Sequence, residues 1–197
     1  MRADRSSGKV VVVTGSPGTG KTIFAKRLAQ KIGANYLPLT PLIYKHKLYT
    51  GFDRERSSMV VDLARARTRL GSLLSRTAGQ TVVDTHIPEG IVPTEVVERV
   101  FVLRCHPRIL ERRLGKRKWR LGKVRENILA EMLDACLISA MKCYGRRRVT
   151  QLDTSNVSVV KCVAAAERTL RKRASGTVKI DWITTLGKEH LLDRYLR

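Results

Sequence analysis

The chain has 197 residues, is 43% hydrophobic, and carries 39 Lys and Arg against 17 Asp and Glu, for a formal net charge of +22. That length suits one well-buried domain with small appendages. No apolar run approaches the ~20 residues of a membrane span. Residues 1–9 are polar and basic and lack a signal-peptide core, so a cytoplasmic protein without a membrane role is expected, with a nuclear location open in a eukaryote. The four cysteines, Cys105, Cys136, Cys143 and Cys162, show no Cys-x-x-Cys pair. They read as small core residues of a reducing compartment rather than metal ligands. The basic balance favours a polyanionic partner such as RNA, or an acidic protein; a solvated basic surface is the alternative.

In chain order, residues 9–15 (KVVVVTG) form a β-branched run ended by glycine, which predicts a central parallel strand buried on both faces. A helix over 21–31 follows, stopped by Gly33, and then a short strand near 34–39. Residues 38–79 read as mostly helical and charged, with a break at Gly51. Residues 81–87 and 97–105 are the next strand candidates. Helices are expected over 108–116 and 124–144, a last core strand over 149–152, and a last core helix over 157–173. This alternation predicts an α/β fold with a parallel sheet. Beyond Ser175 and Gly176, residues 176–197 are too apolar for a disordered end. They read as an extension docking on its own domain, residues 1–175.

Between the first strand and first helix stands Gly15-x-x-x-x-Gly20-Lys21-Thr22, the P-loop pattern in the context its mechanism requires. Glycines 15, 18 and 20 let the backbone wrap a polyphosphate, and the helix N-terminus adds positive potential. Lys21 is expected on the β- and γ-phosphates and the Thr22 hydroxyl on Mg²⁺. Asp84 ends the run Val82-Val83-Asp84, which suits a Walker-B acid in the Mg²⁺ shell; a strand-end cap is the alternative. His86 shares Asp84's face by strand alternation. A structural role and a role at the γ-phosphate weigh equally for it. The stretch from Arg104 to Arg125 contains ten basic residues against a single acid, Glu111. Most of it reads as a solvated face, with two or three arginines on a hinged flap over the phosphates.

With these residues placed, the chain resembles nucleoside monophosphate kinases, and more narrowly the adenylate kinase isoenzyme 6 family of archaea and eukaryotes. The likeness rests on the loop Thr14-Gly15-Ser16-Pro17-Gly18-Thr19-Gly20-Lys21-Thr22 and on Asp84-Thr85-His86. It rests further on Arg113-Leu114-x-x-Arg117-x-Trp119 followed by Lys123-Val124-x-Glu126-Asn127-x-x-x-Glu131. Gly51-Phe52-Asp53 and Val60-Val61-Asp62 resemble the monophosphate-side segment and are the least closely matched part.

The resemblance implies a three-layer P-loop fold with a central parallel five-stranded sheet and a short lid near 116–126. It implies a mobile monophosphate segment near 38–63. By it, Gly15, Gly18, Thr19, Gly20, Lys21, Thr22, Ile23 and Arg117 contact ATP, Asp53 and Asp62 serve the monophosphate, and Thr22 and Asp84 hold Mg²⁺. Lys21, Asp84, His86 and Arg117 are the catalytic candidates. The implied activity is phosphoryl transfer from ATP to a nucleoside monophosphate, AMP favoured, with ATP hydrolysis, in a monomer. The implied context is late maturation of the small ribosomal subunit, with a platform ribosomal protein as partner and pre-rRNA as a further candidate. Two readings stand beside it: an ATPase switch in ribosome assembly, and a P-loop kinase of another small molecule. The chain departs from the family at Ile23, where a second hydroxyl residue is usual. It departs also at Lys118 and Trp119, where the lid has glycine and tyrosine.

Overall fold

Four consecutive valines, Val10 to Val13, are fully buried in strand β1 (Val10–Gly15). A β-branched run of this kind suits a strand covered on both faces, and the computed structural model places β1 at the centre of the sheet. The structure describes residues 9–53, 58–86, 90–117, 119–172 and 179–196. Residues 1–8, Ile87, Lys118, Arg173 and the Ser175–Gly176 boundary, on which some expectations above fall, lie outside the described residues.

After β1 come α1 (Lys21–Ile32), β2 (Asn35–Pro38), α2 (Leu39–Lys45), β3 (Tyr49–Asp53), β4 (Ser58–Val61), α3 (Leu63–Arg76) and β5 (Thr81–Asp84). The second half runs β6 (Val97–Arg104), α4 (Pro107–Gly115), α5 (Leu121–Met132), α6 (Ala135–Tyr144), β7 (Val149–Asp153), α7 (Val159–Lys172), α8 (Trp182–Lys188) and α9 (Leu192–Leu196).

The main sheet has five strands in the order β2-β5-β1-β6-β7, all parallel. Strand alternation sends Val10 and Val12 to one face, where they pack with Leu39, Leu70 and Leu137 from α2, α3 and α6. Val11 and Val13 face the other way, onto Phe24 and Leu28 of α1 and Val163 and Ala166 of α7. The result is the expected three-layer α/β P-loop fold. Since β1 lies between β5 and β6, the chain turns to opposite sides of the sheet at its carboxyl end. That is the switch point at which open α/β sheets bind ligands.

Two local expectations are corrected. Residues 38–79 are helical at α2 and α3, but between these helices β3 and β4 pair antiparallel as a separate two-stranded sheet where helix was expected. Tyr49, Thr50, Phe52, Val60 and Val61 are β-formers, and pairing with one another overrides the weak helical pattern. Residues 124–144 are not one helix. Asp134 adopts the left-handed conformation at φ 57°, and an Arg104 guanidinium nitrogen takes the Glu131 carbonyl oxygen at 3.0 Å as well as the Asp134 carboxylate. The helix therefore ends as α5 and restarts as α6.

The C-terminal segment packs on its own chain. Ile180, Trp182, Leu186 and Tyr195 form a third apolar cluster with Leu110 and Leu114 of α4 and Val124 and Ile128 of α5. Each fully buried side chain of the size of Leu186 contributes about 1.5–3 kcal/mol. No helix among the described residues is long and apolar enough to cross a membrane.

Candidate functional site

The loop leaving β1 is shaped by close approach. Gly15 has φ +139°, and a Cβ there would stand 2.3 Å from the Leu103 carbonyl oxygen of β6. Gly18 has φ +91°, and a Cβ would stand 2.8 Å from Leu110 Cδ1 and 2.9 Å from Leu114 Cδ2 of α4. The glycines thus bring the loop against the neighbouring strand on one side and α4 on the other. Thr19 Oγ1 donates to the Ser16 carbonyl at 2.8 Å, and Thr154 Oγ1 holds the Thr19 carbonyl at 2.9 Å. Gly20, also at positive φ, stands at the N-terminus of α1.

Lys21 lies across the loop, with Nζ donating to the Ser16 carbonyl at 3.0 Å. Burial pushes its ammonium below the usual lysine range; Cys136, Asp84 and Glu131 oppose that, and Arg117 adds to it. Thr22 Oγ1 donates to Asp84 Oδ2 at 2.8 Å, joining the start of α1 to the end of β5. Tyr36 of β2 donates to the same oxygen at 3.1 Å, and burial followed by the Asp84 charge raises its phenol well above the ordinary value.

His86 stands beyond Asp84, with Nδ1 3.3 Å from Thr40 Oγ1. The residue is exposed as a whole, yet the cleft walls still desolvate its ring. That desolvation, then Lys21 and Lys123, lower its pKa, while Asp84 pulls the other way. A depressed value favours the neutral imidazole, which can accept a proton or a hydrogen bond.

Two cavities flank the loop. One of 570 Å³ is lined by Lys21, Tyr36, Asp84, His86, Arg117 and Trp119, among others. The second, of 400 Å³, is lined by Thr19, Arg113, Thr154, Val157 and Val159, among others. Gly18, Gly20, Ile23 and Arg117 border both. The structure thus brings Gly18, Gly20, Lys21, Thr22, Ile23, Asp84, His86 and Arg117 around one cleft, with Thr19 on the second cavity and Gly15 behind the loop. Asp53 and Asp62 line neither cavity. Asp53 sits in β3 opposite Ser58, and Asp62 caps α3 by accepting from the Arg65 amide at 3.0 Å.

The basic stretch divides as follows. Arg104 is 1% exposed, wholly inside the protein. Arg113 donates to the Thr154 carbonyl at 2.7 Å, Arg117 reaches the cleft, and Arg108, Arg112, Lys116, Arg120 and Arg125 are exposed. Tyr36 and Thr154 are functional-site residues that the sequence does not mark. Their positions depend on strand register, Tyr36 lying opposite Val82 two residues before Asp84, and no local motif announces them.

The donor set suits a hydrated, hard cation. One hydroxyl and one carboxylate face each other at the loop, and Mg²⁺ takes few protein oxygens while keeping several waters. Among the described residues no group of three or more His, Cys, Asp or Glu side chains could hold a metal by itself. A curved backbone, a half-buried lysine, an adjacent hydroxyl–carboxylate pair and a bordering arginine are together suited to a polyphosphate chain and its cation.

Residues 11–134 match the family described as the AAA domain. A protein of Methanocaldococcus jannaschii named "putative adenylate kinase" is 31% identical over 172 residues, covering 87% of this chain and 92% of that one. A protein of Archaeoglobus fulgidus with the same name is 31% identical over 193 residues, covering 95% and 98%. Among solved structures, a shikimate kinase from Bacteroides thetaiotaomicron superposes with a TM-score of 0.56 at 18% identity, covering 83% of this chain and 98% of that one. A gluconokinase from Sinorhizobium meliloti gives 0.50 at 16% identity, covering 84% and 93%. At these identities the two structures speak to the fold alone.

Proposed function

The chain belongs to the AAA domain family and to the family of its archaeal relatives, and from that premise we propose that it transfers the γ-phosphoryl group of ATP to a nucleoside monophosphate, AMP favoured. The observation that carries this reading is the pair of cavities meeting at Gly18, Gly20, Ile23 and Arg117, with Lys21 and the Thr22–Asp84 hydrogen bond in the wall of the first. A kinase of two nucleotides needs a donor site and an acceptor site that share one phosphate position.

In this reading the second cavity takes the donor base and ribose, with Val157, Val159 and Arg113 at its walls. The first takes the acceptor, with Tyr36, Thr40 and Trp119 around it. An acceptor phosphate oxygen attacks the γ-phosphorus, the bond to the β-bridging oxygen breaks, and ADP leaves. Thr22 and Asp84 would hold Mg²⁺, which supplies charge neutralisation on the phosphates. Lys21 and Arg117 hold the phosphate oxygens and offset the charge that moves to the leaving group. Tyr36 keeps the Asp84 carboxylate turned toward Thr22. Hydrolysis is the same transfer with water as acceptor, and neutral His86 orients or deprotonates that water.

Two substitutions separate these roles. Asp84→Asn preserves shape but removes the charge, and the Mg²⁺ concentration for half-maximal turnover should rise by about 10- to 100-fold. Titrating Mg²⁺ at fixed ATP reads this out; an unchanged midpoint would return Asp84 to a strand-end cap. His86→Ala should reduce ATP hydrolysis while ATP binding stays close to that of the natural chain. Equal losses of hydrolysis and of ATP affinity would count against the assigned role.

The finer family, adenylate kinase isoenzyme 6, is supported by Asp84-x-His86 and by the segment from Arg113 to Glu131. With it comes a cytoplasmic ribosome-assembly role, on a platform ribosomal protein of the small subunit or on pre-rRNA, and the charge of +22 suits such a polyanionic setting. Co-sedimentation with small-subunit precursors, with and without ATP, tests it; absence from those particles in both conditions would remove it. The direct test of the kinase reading is diphosphate formation from ATP, Mg²⁺ and each monophosphate in turn.

A further inference from the structure

Ser16, inside the phosphate loop, is 1% exposed, and its hydroxyl donates to Glu131 Oε2 at 2.6 Å. Glu131, on α5, is equally buried. Its other oxygen, Oε1, accepts from Arg104 Nε at 2.7 Å, from the Cys105 amide at 3.1 Å and from Trp182 Nε1 at 3.0 Å. Arg104 is in turn held by Gln151 Oε1 at 2.7 Å and stacks over the Trp182 ring at 6.0 Å from its centroid. One carboxylate therefore ties four parts of the chain: the phosphate loop, the end of β6, helix α5, and the C-terminal segment through α8. None of Glu131, Arg104 and Trp182 lines either cavity.

A buried carboxylate requires its donors, and the orientation it takes is the one that satisfies all of them together. The plane of the Glu131 carboxylate is set by three donors on Oε1, and that plane decides where Oε2 meets Ser16. Removing one donor allows the group to rotate toward those that remain, which shifts or lengthens the bond to Ser16. The loop then spends part of its time away from the shape that fits phosphates. Binding weakens by the fraction of that time.

We propose that Glu131 is a positioning residue for the phosphate loop, and that the Trp182 indole keeps Glu131 aligned, so that the C-terminal segment supports ATP affinity from outside the cleft. This rests on the reading of residues 15–22 as the ATP phosphate loop, and not on the identity of the acceptor.

The test is a double-mutant cycle on Trp182→Phe, which keeps an aromatic ring but removes the donor, and Ser16→Ala. ATP dissociation constants in Mg²⁺ are measured by titration calorimetry, with thermal midpoints in parallel. Each single substitution should weaken ATP binding by about three- to tenfold, the range of one hydrogen bond. The double variant should be no weaker than the worse single one, because both act on one chain of contacts. An ATP constant unchanged in Trp182→Phe, with only the midpoint lowered, would show a merely structural tryptophan and overturn the proposal. Multiplying effects in the double variant would overturn it too.

A second measurement keeps Trp182 intact. The chain has two tryptophans, so Trp119→Phe leaves Trp182 as the sole emitter. Its emission should shift when ATP is added, and the added substitution Ser16→Ala should abolish most of the shift; no shift, or the same shift in both, would contradict the link. Failure to make a diphosphate from any monophosphate removes the kinase reading while these ATP constants still decide the present one. Absence of ATP binding by the natural chain would overturn both.

Discussion

Replacing Lys21 by alanine should lower triphosphate turnover by about 10²- to 10³-fold, the scale of losing one preorganised charge at a reacting group. The lysine sits on the loop, with Asp84 beyond it and Arg117 at the cleft edge, while Lys26, which also borders the first cavity, stands further along α1 and off the loop. Its effect on folding should run the other way. Lys21 donates a hydrogen bond to the Ser16 carbonyl, and burial already lowers its pKa. Removing a desolvated charge relieves that cost, so the thermal midpoint should stay the same or rise. Steady-state kinetics and a melting curve on the same preparation check both halves. A variant that loses activity because it melts early would show that Lys21 holds the fold rather than the phosphates.

Arg104→Ala should be the most destabilising of the substitutions considered, by about 3–5 kcal/mol, because it leaves a buried carboxylate without its main cation. The guanidinium contacts Glu131 through both side chain and carbonyl, together with Gln151 and Asp134. Alanine would also leave a void between β6 and α5. Urea denaturation measures the change. A small loss, within the range of an exposed arginine, would mean that water or a shifted lysine restores the charge balance.

Arg104 also marks where the sequence stops being informative. It stands at the head of a run of basic residues and reads as part of a solvated face. Its burial comes from being the last residue of β6, inside the sheet, with Glu131 arriving from 27 residues away. Nothing within the run distinguishes it from Arg112 or Arg125. By contrast, the phosphate loop is legible because its requirements are local: a buried strand, glycines where the backbone approaches its neighbours, and a helix start with lysine and a hydroxyl. Asp84 is legible for the same reason, as an acid closing a short hydrophobic strand.

The β3–β4 pairing and the break at Asp134 leave no local signal because both depend on partners. The hairpin strands are stabilised by one another, and the break is held by Arg104 from another element. Glu131 could be seen as part of a family motif, yet its four donors come from residues as far apart as Ser16 and Trp182. Its place at the centre of the molecule is a product of the fold. The roles assigned to Asp53 and Asp62 rest on resemblance alone, and neither residue is among those that line the cleft.

The proposed transfer requires the cleft to join two nucleotides across one phosphate position. The decisive assay follows product formation from ATP and Mg²⁺ with AMP, and then with each other monophosphate, beside an ATP-only control and the Lys21→Ala variant. ADP should form from both substrates when AMP is present, in excess of the ATP-only control, and about 10²- to 10³-fold more slowly with Lys21→Ala. ADP production that is the same with and without every monophosphate would contradict it and leave an ATPase.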